Sequence, residues 1–156
     1  MTALEIHLDE QAVAKVVTGY MVAVDTRQWD KVPGFFADQV HVDYTSIRPV
    51  PAAQVIQKDG MVTLWRSRFD KEMAYQHALS NLLVTIEGDK ATCTGNNVAS
   101  HVMADASRGG SIVLWQIGVR LNWTLQRGVD SSWLIDSVRA EYLWDRTEPF
   151  AGIRLP

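Results

Sequence analysis

The stretch Ile112-Val113-Leu114-Trp115-Gln116-Ile117-Gly118-Val119-Arg120-Leu121-Asn122-Trp123-Thr124-Leu125-Gln126 alternates with a period of two. Successive side chains of a strand point to opposite faces. Val113, Trp115, Ile117, Val119, Leu121, Trp123 and Leu125 therefore share one face, and Ile112, Leu114, Gln116, Gly118, Arg120 and Asn122 the other. The simplest reading buries the odd-numbered face and leaves Arg120 in water. A competing reading sets the odd face against a second subunit and lets the even face line a ligand cavity. Tyr75–Glu87, Lys90–Ala104 and Trp133–Trp144 also read as long strands, joined to Ser111–Gln126 by turns rich in Gly and Asp. Four such strands in succession predict an antiparallel meander.

Upstream the period changes. Val13, Val16, Val17, Tyr20, Met21 and Val24 recur as one face of a helix, with Asp9 available as N-cap and Asp25 on the edge of the apolar stripe. Asp30-Lys31-Val32-Pro33 suits the start of a short helix ending near Asp38. Val40-His41-Val42-Asp43-Tyr44 alternates as a half-buried strand, which places Tyr44 on the core side and His41 with Asp43 opposite. Pro49 and Pro51 break the chain, and Ala53, Val55, Ile56, Met61, Leu64 and Trp65 predict a third helix, weakened in its middle by Gly60. Helices followed by an antiparallel sheet make an α+β fold.

A chain of 156 residues suits one domain spanning residues 1–156, long enough for a sizeable core. Its net charge is -3 and its Lys and Arg are dispersed, so it offers no footprint for nucleic acid. Cys93 is the only cysteine, which excludes an internal disulfide and a cysteine zinc cage. Gln116, Arg120 and Asn122 interrupt the longest apolar run, which is too short to cross a bilayer, and the acidic N-terminus has no signal-peptide pattern. The expectation is a soluble, cytoplasmic protein with no membrane partner.

Asp25, Tyr44, His77 and His101 are the residues with usable proton chemistry. Each has an ordinary structural reading: an Asp beside Thr26 and Arg27 caps or is solvated, and a strand histidine is satisfied in place. Side chains scattered along a chain are nevertheless how a proton-transfer pocket is assembled. His7 and His41 carry no assigned role.

The segments Val24-Asp25-Thr26-Arg27-Gln28-Trp29-Asp30, Val42-Asp43-Tyr44-Thr45-Ser46 and Tyr75-Gln76-His77-Ala78-Leu79, together with His101, resemble scytalone dehydratase and the SnoaL-like members of the NTF2-like superfamily, over roughly Tyr20 to Trp144. The resemblance implies a cone-shaped α+β barrel, three N-terminal helices packed on a curved mixed or antiparallel sheet around an apolar cavity. It matches Asp25 and His101 to a hydrogen-bonded carboxylate and imidazole, and His77 and Tyr44 to groups that hold a water or polarise a carbonyl. Tyr20, Ile47, Met61, Ala99, Val138, Ala140 and Tyr142 match lining positions, and Phe150 is a candidate cover for the mouth. The implied activity is dehydration of a hydroxylated cyclic ketone, polyketide-like, without metal or organic cofactor. An isomerase, cyclase or epoxide hydrolase is the alternative on the same scaffold, and a non-catalytic small-molecule-binding domain the third reading.

The chemistry is coherent in itself. A carboxylate bonded to one ring nitrogen of His101 would leave the other free as a base, and a donor from Tyr44 or His77 would meet the developing enolate. Two departures from the family pattern stand out: Val24 replaces a second tyrosine, and Gly118 with Arg120 replaces a serine and an asparagine. An inward Arg120 would need a partner such as Asp25 or an anionic substrate group. The apolar odd face of Ser111–Gln126 predicts a homo-oligomer, dimer or trimer.

Overall fold

The computed structural model describes residues 1–47 and 52–150. Helix α1 (Ala3–Asp25) starts at Thr2, which forms a reciprocal capping box with Glu5. Asp9, expected as the cap, lies inside the helix, where its carboxylate accepts from Trp133 Nε1 at 3.2 Å and pairs with Arg127. The helix ends in a Schellman arrangement: Arg27 N–H donates to Val24 O at 3.0 Å and Gln28 N–H to Ala23 O at 2.8 Å. Arg27 takes φ +55 there, the left-handed conformation usually left to glycine.

The expected short helix to Asp38 is a 3₁₀ turn over Val32–Phe35, and strand β1 (Phe36–Asp43) begins earlier than its alternation suggested. The third expected helix divides into strand β2 (Gln54–Gln57) and helix α2 (Lys58–Phe69). Gln54–Gln57 is drawn out by pairing with Gln39–Val42, so cross-strand hydrogen bonds override the local helical pattern. Pro49 and Pro51 lie outside the described residues. Among the described residues, two α-helices and a 3₁₀ turn stand where three helices were expected.

The four long strands are as read: β3 (Ala74–Glu87), β4 (Lys90–Asp105), β5 (Ser111–Arg127) and β6 (Trp133–Pro149). They form one six-stranded sheet in the order β2-β1-β6-β5-β4-β3, antiparallel except where β1 runs parallel to β6. Irregular registers interrupt it near Ser80/Leu83, Gly118/Val119 and Thr124/Leu125, and Asn81 in the first has φ +55. Bulges bend and twist a strand. The sheet thus curls over α1, which touches both β3 and β6.

The odd face of β5 turns inward: Val113, Ile117, Val119, Leu121, Trp123 and Leu125 are buried. The simple reading of that strand therefore holds. This face belongs to the interior of the chain and is not the self-association surface that its apolar pattern predicts. Arg120 is exposed on the outer face, opposite Asn96 and Glu141, and neither lines the cavity nor meets Asp25. Gly118 is also outward; a Cβ there would lie 2.3 Å from Trp144 Nε1, so its bareness lets the indole lie on the sheet. Strand β6 continues to Pro149, and Phe150 N–H donates to Ile112 O at 3.1 Å, which makes Phe150 a ladder residue and not a cover. Among the described residues no helix is long and apolar enough to cross a membrane.

Candidate active site

Between α1, α2 and the inner faces of β3, β4 and β5 lies a cavity of about 350 Å³. Its wall is mainly apolar and aromatic, with Tyr20, Met21, Val24, Trp65, Phe69, Trp115, Ile117, Val119 and Leu121 among the lining residues. Into it the strands bring His77 from β3 and Asn97, Ala99 and His101 from β4. Tyr44 and Ile47, just beyond β1, close one side. Of the expected lining residues, Tyr20, Ile47 and Ala99 are there. Met61, Val138 and Ala140 are fully packed core instead: Met61 is on the buried side of α2, and Val138 and Ala140 lie along β6, away from the cavity. Tyr142 lies at an adjoining hollow with Asp145, to which its hydroxyl donates at 2.6 Å.

The expected contact between Asp25 and His101 is not made. Asp25 ends α1, and α1 packs on β3, so its carboxylate meets the nearer strand. Oδ2 accepts the His77 backbone N–H at 2.9 Å, and Oδ1 lies 2.6 Å from His77 Nδ1. Both carboxylate oxygens are engaged by one residue. With Nδ1–H donating to Asp25, the lone pair of Nε2 is free. An acidic residue at a helix C-terminus faces the negative end of the helix dipole, an unfavourable place that these two hydrogen bonds offset.

His101 lies one strand further and has its own carboxylate. Its Nδ1 is 2.6 Å from Glu72 Oε2, and Arg68 Nη1 approaches Glu72 Oε1 at 2.9 Å. Glu72 sits between α2 and β3 and is only 5% exposed. The imidazole is packed between Phe69, stacked at 5.8 Å, and Trp115 at 4.9 Å. The two imidazoles stand edge to face with centroids 6.0 Å apart. Cross-strand register explains their relation: His77 is opposite Ala99, and His101 is opposite Tyr75. His101 is thus the diagonal neighbour of His77 on the same face.

Arg27 ties the two acid–imidazole pairs together. Its Nη2 donates to Glu72 O at 3.0 Å and its guanidinium lies 5.3 Å over the Tyr75 ring, while Tyr75 OH donates to Val24 O at 2.9 Å. On the other wall Tyr20 and Tyr44 adjoin. Burial raises both phenols above their ordinary range; the neighbouring Tyr44 adds to the effect on Tyr20, and the Trp65 indole N–H opposes it. Both remain protonated donors through the neutral range. Tyr20 stands one helical turn before Val24, so the second phenol missing at Val24 is present one turn earlier.

Glu72 and Asn97 escaped the sequence reading. Glu72 follows Asp70 and Lys71 and looks solvated; its only signal is the i,i+4 spacing from Arg68. Asn97 could have been noticed as a polar residue on the face that carries Cys93, Gly95, Ala99 and His101. Among the described residues no group of three or more His, Cys, Asp or Glu is placed to hold a metal ion.

Known proteins agree with this architecture. Residues 5–139 match the model of the SnoaL-like domain. No curated protein matches the chain by sequence. Among solved structures, Kfla4162 from Kribbella flavida superposes with a TM-score of 0.80 at 20% identity, over 90% of this chain and 94% of that one. LinA superposes with a TM-score of 0.73 at 18% identity, over 96% of this chain and 94% of that one. A candidate scytalone dehydratase from Novosphingobium aromaticivorans gives 0.74 at 12% identity, over 94% and 96%. At these identities the likeness concerns the fold. The match over most of its length and the curled sheet around a lined cavity place the chain in the SnoaL-like domain family of the NTF2-like superfamily.

Proposed function

We propose that the protein is a cofactor-independent lyase that removes a proton beside a carbonyl and expels water from a hydroxylated cyclic ketone. The observation that carries this reading is the clamp of Asp25 on both the backbone N–H and Nδ1 of His77 in the cavity wall. The clamp fixes the tautomer, leaves Nε2 as the base, and places a negative charge where the imidazolium forms. His77 thereby takes the role first expected of His101. The enolate oxygen is met by the Tyr44 phenol, with Tyr20 beside it, both held protonated by burial. A proton given from Nε2 of the protonated His101 ring, which Glu72 orients, turns the departing hydroxyl into water, and the proton held by His77 then restores His101.

Two oriented imidazoles 6.0 Å apart also suit isomerisation, in which one ring takes a proton and the other delivers it to a different carbon. That is the second reading. Epoxide opening would be favoured by an Arg120–carboxylate pair holding a water in the cavity, and Arg120 lies on the outer face.

The test is incubation with cyclic β-hydroxy ketones in deuterated water, following exchange and product together. His77→Gln and Asp25→Asn are expected to lower exchange by about 10²–10⁴-fold. His101→Gln should spare exchange and slow loss of hydroxyl. Unchanged exchange in His77→Gln refutes the assignment of the base, and a rearranged product without dehydration selects the isomerase.

A further inference from the structure

Three polar or charged side chains are buried among the described residues: Glu72, His101 and Asn97. Glu72 Oε2 pairs with His101 Nδ1, and Glu72 Oε1 faces the Arg68 guanidinium at 2.9 Å. Asn97 is 4% exposed, lines the cavity, and its Oδ1 has no hydrogen-bond partner among the described residues. The register shows why the protein supplies none. On the inner face Asn97 is opposite Leu79 of β3 and Val119 of β5, and its same-face neighbours along β4 are Gly95 and Ala99. Every one of these is apolar. A buried carbonyl oxygen left unpaired is costly, and in native proteins it points to a partner of another origin.

His77 is opposite Ala99, and Asn97 and His101 are the residues two before and two after Ala99 on the same face. His77 therefore lies between two polar neighbours on diagonals of about 7–8 Å. Between them stands the small side chain of Ala99, opposite His77.

We infer that Asn97 is a substrate-specificity residue: its Oδ1 accepts a hydrogen bond from a substrate hydroxyl remote from the carbon that faces His77. The inference rests on the lyase reading for its chemical class and narrows that class to ring ketones with a distal hydroxyl. A halogenated hydrocarbon, which has no donor, would leave Oδ1 unpaired. Sites built to pair a substrate hydroxyl discriminate strongly against analogues that lack it.

The test is a binding measurement that needs no turnover. Quenching of tryptophan fluorescence, with Trp65 and Trp115 in the wall, reports binding of 1-tetralone and of its 5-, 6- and 7-hydroxy derivatives. The wild-type protein is expected to bind the best hydroxylated isomer about tenfold more tightly than 1-tetralone. In Asn97→Leu the preference should fall to within twofold, with 1-tetralone still bound. Asn97→Ala, which empties the position and does not fill it, gives the same answer if the Leu variant fails to fold. A wild-type protein indifferent to all three hydroxyls, or variants that keep the preference, overturns the inference. His77→Gln should retain the preference while losing deuterium exchange, so failure of the base assignment and failure of the Asn97 assignment are read separately.

Discussion

At Ala99 a single methyl group decides whether the cavity can be used. The residue is 4% exposed and faces His77 across the strand pair. Ala99→Leu is expected to occupy the space against the imidazole and abolish ligand-induced fluorescence quenching, at a stability cost of about 1–3 kcal/mol for overpacking, read by urea unfolding. Full binding by that variant would show that ligands sit elsewhere. Cys93, four residues from Asn97 on the same face, is buried, and its thiol is pushed up to about 11. It should remain unreactive towards a disulfide reagent at pH 8 in the folded protein and become fully reactive in urea; rapid labelling of the native chain would contradict its placement. Asp25 and His77 show how much the choice between adjacent strands matters. Both were singled out from the sequence, yet their pairing was assigned to the wrong histidine, because sequence reports which residues share a strand face and not which strand a helix end abuts.

At the scale of elements, the C-terminus of α1 is the piece that holds His77, the proposed base, through Asp25. Arg27 holds a left-handed φ of +55 where glycine is the usual choice, and its side chain spans to Glu72 O and the Tyr75 ring. Backbone strain and side-chain anchoring oppose each other there. Arg27→Gly relieves the strain and loses the anchor, whereas Arg27→Ala loses the anchor and keeps the strain. The Ala variant is therefore expected to be less stable than the Gly variant by about 1 kcal/mol in urea unfolding. Both should lose activity, since Asp25 and Glu72 are no longer held in common. Equal stabilities would mean that the turn tolerates either residue without strain. Strand β2 shows the limit of local reading: Gln54–Gln57 has helix-like apolar spacing ahead of α2 and becomes a strand because β1 offers it a ladder.

Across the whole molecule, Asp9 latches the first helix to the far end of the sheet. It pairs with Arg127 and accepts from Trp133, while the Arg127 guanidinium sits 4.4 Å over the Trp133 ring. Asp9→Ala leaves two donors unpaired and is expected to cost about 1–3 kcal/mol in urea, with the cavity geometry and ligand preference retained. A second global consequence concerns alkali. Tyr20, Tyr44 and Cys93 are neutral acids whose ionisation is opposed mainly by burial, so their folded values lie above their ordinary ones of 10.0 and 9.0. The unfolded chain releases these protons first. Their stabilising contribution is thus complete below about pH 9 and is lost as pH rises towards and through the folded values. The urea midpoint should fall between pH 9 and 11, and Tyr44→Phe should flatten that fall; a midpoint independent of pH over this range would remove the burial argument. The period-two alternation of the four long strands and the 3.6 period of Val13–Val24 were sufficient to reveal the α+β class, the meander and the inward face of Ser111–Gln126, since side-chain periodicity is a local property of the backbone. Asp25, Tyr44, His77 and His101 were likewise visible as residue types. The partner of each imidazole, the burial of Glu72, the exposure of Arg120 and the unpaired oxygen of Asn97 depended on strand order, register and bulges. Those are set by contacts between residues far apart in the chain, and no local spacing encodes them.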